Sequence, residues 1–96
     1  MKYNLGELEV ITFKRTNAIH IGKESSLILA IECDVLLKFL KKEIYSVYQY
    51  THRLFWSEDD NIIYSNTYKK LGLNVKATKK EIDELIEAIT IKLLLG

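Results

Sequence analysis

The sequence lacks the residues that mark several common protein classes. It contains no proline, and Cys33 is its only cysteine, which excludes a framework of internal disulfide bonds. We expect that cysteine to be a small buried apolar residue. The four glycines are scattered, and none of the glycine-rich loops that cradle phosphate groups is present. A nucleotide-dependent enzyme is therefore not expected.

The chain also lacks a strong net charge and a long apolar run. Its formal net charge of +1 gives no global attraction to DNA or to a membrane surface. The first residues, MKYNLGELEV, do not form the apolar block of a signal peptide. Since no run reaches the length of a membrane span, we expect a cytoplasmic protein that does not bind membranes.

The composition that remains is typical of one folded domain. The 96 residues are 48% hydrophobic and 28% charged, and we expect a single domain over residues 1–96. A chain of this size buries only a thin core, so it gains stability from a partner. This indicates a homo-oligomer, most simply a dimer.

Two alternating segments near the N-terminus predict a β-hairpin. Leu8 to Lys14 and Ala18 to Ile21 flank a turn at Thr16 and Asn17, and asparagine tolerates positive φ. We expect His20 on the face away from the core. The expected buried face consists of Ile11, Phe13, Ile19 and Ile21.

Residues Glu24 to Glu43 predict a helix. Ile28, Ile31, Val35 and Phe39 follow a helical stripe. The first two turns, LILAI, are apolar all round, which is typical either of a helix buried on most sides or of a strand. The sequence leaves these two alternatives open.

Residues Ile44 to Trp56 predict a single strand, because β-branched and aromatic residues are dense there. A helical stripe also fits this segment, and the strand is preferred because one helix from Ser25 to Phe55 would be too long for so small a domain. A turn at Ser57 to Asn61 and a return strand at Ile62 to Tyr64 follow.

The C-terminal segment from Thr78 to Leu95 predicts a helix. Thr78 and Glu81 have the spacing of a capping box, in which each side chain bonds the other's backbone N–H. Apolar residues exceed one stripe, which indicates a helix that docks on two sides or onto a second subunit. The predicted fold is therefore α+β, with one small antiparallel sheet in ββαββ order and two helices, the last over residues 78–95.

The aromatic and basic residues after the first helix suggest a binding face. Exposed rings on a sheet can stack on unpaired bases while neighbouring cations hold the phosphates. An aromatic stripe of this kind also occurs commonly in a core or at a subunit interface, and both alternatives stay open. The predicted nucleic-acid-binding residues are Tyr48, Tyr50, His52, Arg53, Trp56, Lys69 and Lys70.

The leading hypothesis is a small non-enzymatic module that binds single-stranded nucleic acid. The main alternative is a protein–protein module or regulator that forms a homodimer through the same face. A third is a metal-independent nuclease, with His52 as acid or base, Arg53 on a phosphate and the acidic residues 58–60 nearby. The spacings of zinc ligands are absent, and neither metal nor cofactor is expected.

Overall fold

Residues 1–24, 26–57, 62–67 and 70–96 are described by a computed structural model, with only the backbone at residues 67 and 70–74. Eight strands and two helices lie within these ranges. They are β1 (Lys2–Leu5), β2 (Leu8–Thr12), β3 (Ala18–Lys23), β4 (Ser26–Glu32), α1 (Cys33–Leu40), β5 (Ser46–Gln49), β6 (His52–Trp56), β7 (Ile63–Thr67), β8 (Lys70–Asn74) and α2 (Lys79–Leu95).

The strands form two antiparallel sheets, each made of consecutive strands. The first has the order β1-β2-β3-β4 and the second the order β5-β6-β7-β8, and a helix follows each sheet along the chain. The α+β class and the C-terminal helix are thus confirmed. The predicted single sheet and its ββαββ order are not matched, because β1 and β8 were not part of the predicted order and two predicted elements each divide into two.

The predicted hairpin forms from β2 and β3, but its buried face is only half as expected. Val10 pairs with Ile21 and both are buried, whereas Ile11 pairs with His20 on the other side. Ile11 and Phe13 are 38% and 37% exposed. Side chains alternate along a strand, so the register of the turn decides which set faces the core. His20 does lie away from the core, as predicted.

The predicted helix from Glu24 to Glu43 is a strand followed by a short helix. The apolar run LILAI lies in β4, where Ile31 pairs with Ile19 of β3. The helix α1 has eight residues and buries four of them, Cys33, Leu36, Phe39 and Leu40. Pairing with β3 gives the run a sheet partner, and this tertiary contact determines the conformation of a segment whose apolar pattern fits both structures.

The predicted strand from Ile44 to Trp56 folds back on itself as the β5–β6 hairpin. Its turn is Tyr50 and Thr51, and Tyr50 adopts a φ of 56°. A tyrosine in the left-handed region is uncommon, and neither Gly nor Asn occurs here to signal a turn. The reversal could therefore not be predicted from turn residues.

The capping box of α2 is present and also joins the helix to the first sheet. Thr78 Oγ1 accepts a hydrogen bond from the N–H of Glu81 at 3.1 Å, and Glu81 Oε1 accepts one from the N–H of Thr78 at 2.9 Å. The same Oε1 accepts the N–H of Gly6 at 3.3 Å. Gly6 lies in the β1–β2 turn, so one carboxylate links the start of α2 to the first hairpin.

Both sheets and both helices contribute to one buried apolar cluster. Trp56 on β6 joins the second sheet to α1, because its Nε1–H donates to the carbonyl of Phe39 at 2.7 Å and the two rings lie 5.7 Å apart. Gln49 joins the two sheets, since its Oε1 accepts the N–H of Ala30 on β4 at 2.8 Å. Neither α1 nor α2, the helices of the described ranges, has the length and apolar character needed to cross a membrane.

Candidate aromatic binding face

The predicted binding face does not form as one surface, because Trp56 belongs to the core. In the β5–β6 register Val47 pairs with Leu54, and these two residues and Trp56 lie on the inner side of the sheet. Trp56 is only 6% exposed, and the ammonium of Lys42 lies 4.7 Å from its ring centroid. A base cannot stack on a ring that is packed in this way.

The other predicted residues divide between several places. Tyr50 is 93% exposed but lies at the hairpin turn, beyond the paired strands. His52 pairs with Gln49 on the inner side, and its buried Nδ1 has no hydrogen-bond partner among the described residues. Lys69 lies outside the described residues, and only the backbone of Lys70 is described, in β8.

Tyr48 and Arg53 lie together on the outer side of the second sheet, as a cross-strand pair between β5 and β6. Phe55 follows Arg53 on the same side of β6 and pairs with Tyr64 on β7. We call these four residues, Tyr48, Arg53, Phe55 and Tyr64, the outer aromatic face. The strands β6 and β7 are central in the sheet, so three of the four residues lie on its middle rather than its edge.

In the outer aromatic face one cation and two rings are in pairwise contact. The guanidinium carbon of Arg53 lies 4.5 Å from the centroid of Phe55. The rings of Phe55 and Tyr64 lie 5.6 Å apart at an interplanar angle of 23°, which is a stacked arrangement. An arginine over a ring gains cation–π attraction and holds its planar donors in a defined orientation.

The chemistry of this face is that of a binding surface with one fixed cation. Arg53 makes no ion pair with a described residue, so its guanidinium donors can reach an anionic ligand. Tyr48, across the strand from Arg53, is 70% exposed and presents a ring that neighbours do not cover. A ligand with flat rings and negative charge matches both features.

The structure places His52 and Arg53, the two residues named for a nuclease, on opposite sides of the second sheet. His52 and Arg53 are consecutive on β6, and successive side chains of a strand point to opposite sides of the sheet. The acidic residues 58–60 lie outside the described residues. Among the described residues, no three His, Cys, Asp or Glu side chains come together as a group able to hold a metal ion.

Cys33 is fully buried at the start of α1, as the sequence predicts. Burial raises the pKa of its thiol above the ordinary value, and the charge of the nearby Lys92 opposes that effect. A protonated, inaccessible thiol is a poor nucleophile, and Cys33 therefore belongs to the core.

Sequence reasoning missed Phe55 and overlooked the side of the sheet on which Tyr64 lies. In one continuous strand Tyr48 and Trp56 share a face, whereas the turn at Tyr50 and Thr51 places Tyr48 opposite Arg53. The alternation of Arg53 and Phe55 with the apolar Leu54 is the signal that could have shown Arg53 and Phe55 to lie on the same side of the strand. No protein-family model, curated protein or solved structure matches this chain.

Proposed function

We propose that this chain is a small non-enzymatic module that binds single-stranded nucleic acid through the outer aromatic face. The observation that carries the proposal is the Arg53–Phe55–Tyr64 stack on the central strands of a four-stranded antiparallel sheet. Sheets that present aromatic side chains from their strands are a common platform for unpaired bases. This comparison concerns the chemistry of the surface and implies no kinship.

Single strands suit this surface better than duplexes. Only an unstacked base offers its π-face, and the ring of Tyr48 is open to receive one. Arg53 lies directly across the strand from Tyr48, at a position where its guanidinium can meet a phosphate or a second base. The two residues thus combine stacking with one electrostatic contact.

The low charge of the chain sets a limit on the affinity. With a net charge of +1 and one arginine in the face, binding is expected to be modest, with the salt dependence of a single phosphate contact. One phosphate contact on a single strand contributes a slope of about −0.7 in log K against log salt. A much steeper slope would point to further lysines beyond the outer aromatic face.

The test is a titration of short, mixed-sequence, dye-labelled RNA and DNA single strands, followed by fluorescence anisotropy at low and high salt. Tyr48→Ala removes a stacking platform and is expected to weaken binding by roughly 1–3 kcal/mol. Arg53→Ala is expected to weaken binding and flatten the salt slope by about 0.7. Because Trp56 is buried, its own fluorescence is a poor direct reporter of stacking.

The matched control is Tyr50→Gly, which removes a tyrosine two residues from Tyr48 but outside the outer aromatic face. Unchanged affinity in Tyr50→Gly together with loss in Tyr48→Ala is the expected result. Equal losses in both variants, or no binding by the unaltered protein at low salt, would overturn the proposal.

A protein partner for the same face stays the alternative prediction, and salt separates the two. Phosphate contacts weaken as salt rises, whereas aromatic contacts with a protein respond little. The nuclease stays a prediction without support from the geometry of His52 and Arg53, tested by cleavage of labelled RNA with and without EDTA. A cytoplasmic location and a single domain stay predictions as well.

A further inference from the structure

A wide groove separates α2 from the loop that joins β2 and β3, on a surface distinct from the outer aromatic face. Its volume is about 950 Å³. Phe13 from the hairpin and Ala88, Ile91 and Leu95 from α2 form its apolar part. A contact between the Lys92 ammonium and the carbonyl of Phe13 fixes the loop beside the C-terminal half of the helix.

The C-terminal part of α2 exposes several large apolar side chains to solvent. Only Leu85 and Ile89 of α2 are buried in the core. Ile91 is 48% exposed, and Leu94 and Leu95 are 81% and 84% exposed. Ile91 and Leu95 line the groove together with Phe13, and apolar regions of this kind on protein surfaces usually mark an interaction site.

The charges around the groove are separated by sign. Glu84 and Glu87 line it from the N-terminal half of α2, whereas Lys14 and Arg15 line it from the loop beside the C-terminal half. Lys14, Arg15 and Glu87 make no ion pair with any described residue. One end of the groove is therefore acidic and the other basic.

We infer that a second copy of this chain docks on the groove about a two-fold axis, with the two α2 helices antiparallel. An antiparallel arrangement brings the acidic end of each groove to the basic end of the other, so that both signs are paired twice. Ala88, a small residue one turn before Ile91, leaves a hole that Leu95 of the second copy fills in the manner of coiled-coil packing. The self-complementary charges are the reason to name a second copy rather than an unrelated partner.

Sedimentation velocity or light scattering over a concentration series tests this inference on the full chain. The unaltered protein is expected to show a monomer–dimer equilibrium. Ile91→Glu is expected to raise the dimer dissociation constant about tenfold or more, as for a residue at the centre of an interface. The matched control is Leu27→Glu, which alters a 57% exposed leucine on the first sheet and is expected to leave the equilibrium unchanged.

Charge exchange distinguishes this antiparallel arrangement from other contacts. Glu84→Lys with Glu87→Lys, or Lys14→Glu with Arg15→Glu, is expected to weaken the dimer several-fold. Mixing the two double variants is expected to restore association between unlike chains, because one then carries basic and the other acidic side chains at positions 14, 15, 84 and 87. Circular dichroism checks that each double variant is folded, which is expected since all four exchanged residues lie at the surface of the groove.

A monomer at submillimolar concentration would overturn the inference and leave the groove to another occupant. Dissociation by Leu27→Glu but not by Ile91→Glu would also overturn it, since the dimer would then form through the first sheet. Failure of the mixed charge variants to associate would contradict the antiparallel geometry. None of these outcomes bears on nucleic-acid binding, which is measured on the outer aromatic face.

Discussion

The two halves of the molecule repeat one element order, four strands and a helix, yet their outer sheet faces differ. The outer face of the first sheet carries an ion pair between Lys2 and Glu9, 2.5 Å apart, and the exposed Ile11. The outer face of the second sheet carries the Arg53–Phe55–Tyr64 stack. Since the inner faces share one core, packing constrains them both, and only the outer faces are free to take on binding chemistry.

The two helices also differ, in the share of their residues that is buried in the core. The helix α1 commits half of its eight residues to the core, whereas α2 commits Leu85 and Ile89 out of seventeen. The first helix is therefore a packing element, and much of the second is available for a partner. Differences between corresponding parts of the two halves give the following predictions, in order of decreasing effect.

The largest effect is expected at the first turn of the first half, although the first turns of both halves contain a residue with positive φ. Gly6 has a φ of 63°, and a Cβ there would lie 1.6 Å from the carbonyl oxygen of Val75. Gly6→Ala is expected to destabilise the fold by about 4 kcal/mol or more, because strain and a backbone clash add. Urea unfolding followed by circular dichroism measures this.

The corresponding change in the second half has the opposite sign. Tyr50→Gly relieves the backbone strain of an exposed tyrosine at a φ of 56°. The substitution is expected to leave the free energy of unfolding unchanged or to raise it by about 1 kcal/mol. A clear loss of stability in Tyr50→Gly, or no loss in Gly6→Ala, would contradict the positive φ values of these two turns.

Trp56 tests the junction between α1 and the second sheet. Trp56→Phe keeps a ring in the core but removes the Nε1–H donor from the carbonyl of Phe39, which then keeps its bond from the backbone N–H of Lys42 at 3.1 Å. The expected cost in unfolding free energy is about 0.5–1.5 kcal/mol, the net contribution of one hydrogen bond. Phe55→Leu, on the outer side of the same strand, serves as the control and is expected to cost less, because Phe55 is only half-buried.

The capping box of α2 is expected to contribute about 1 kcal/mol, and Thr78→Ala removes it. Thr90→Ala is the matched control, since Thr90 lies in the middle of the same helix and its Oγ1 donates only to the carbonyl of Ile86. The control is expected to be neutral or slightly stabilising. Thermal unfolding of both variants compares the two threonines, and equal losses would contradict a specific role for the cap.

At neutral pH the smallest effect is expected from the ionisation of Cys33, because its raised pKa keeps the thiol of the folded protein protonated there. Burial raises the pKa of this thiol in the folded state, so the unfolded chain loses its proton first as pH rises. Stability should therefore fall as pH rises above the ordinary thiol pKa, by at most about 1.4 kcal/mol per pH unit from this group. Subtracting the pH profile of Cys33→Ala isolates the effect, and identical profiles would contradict it.

The reasons why sequence predicted some elements and not others are physical. The α2 helix could be predicted because Thr78 and Glu81 stabilise its start through local contacts. The β2–β3 hairpin could be predicted from alternation, but its buried side depends on register. The run LILAI becomes a strand because β3 is its neighbour, which no local pattern encodes.

The outer aromatic face also depends on contacts that local sequence patterns do not encode. Tyr48 and Arg53 were predicted to contribute, but a turn at Tyr50 with positive φ changes which residues lie beside them. Trp56 was expected on the same surface and lies in the core instead. A single turn without glycine or asparagine thus decides which residues of this segment share one side of the sheet.

The most direct test of the account is an NMR titration of the isotope-labelled protein with short single-stranded RNA, comparing the two sheets in one experiment. We predict that the chemical shifts of the backbone amides change around the outer aromatic face, at Tyr48, Arg53, Phe55 and Tyr64. The amide chemical shifts around Ile11 and His20 of the first sheet are expected to stay constant. Changes centred on the first sheet, or no change at low salt, would contradict the claim that the second outer face is the binding surface.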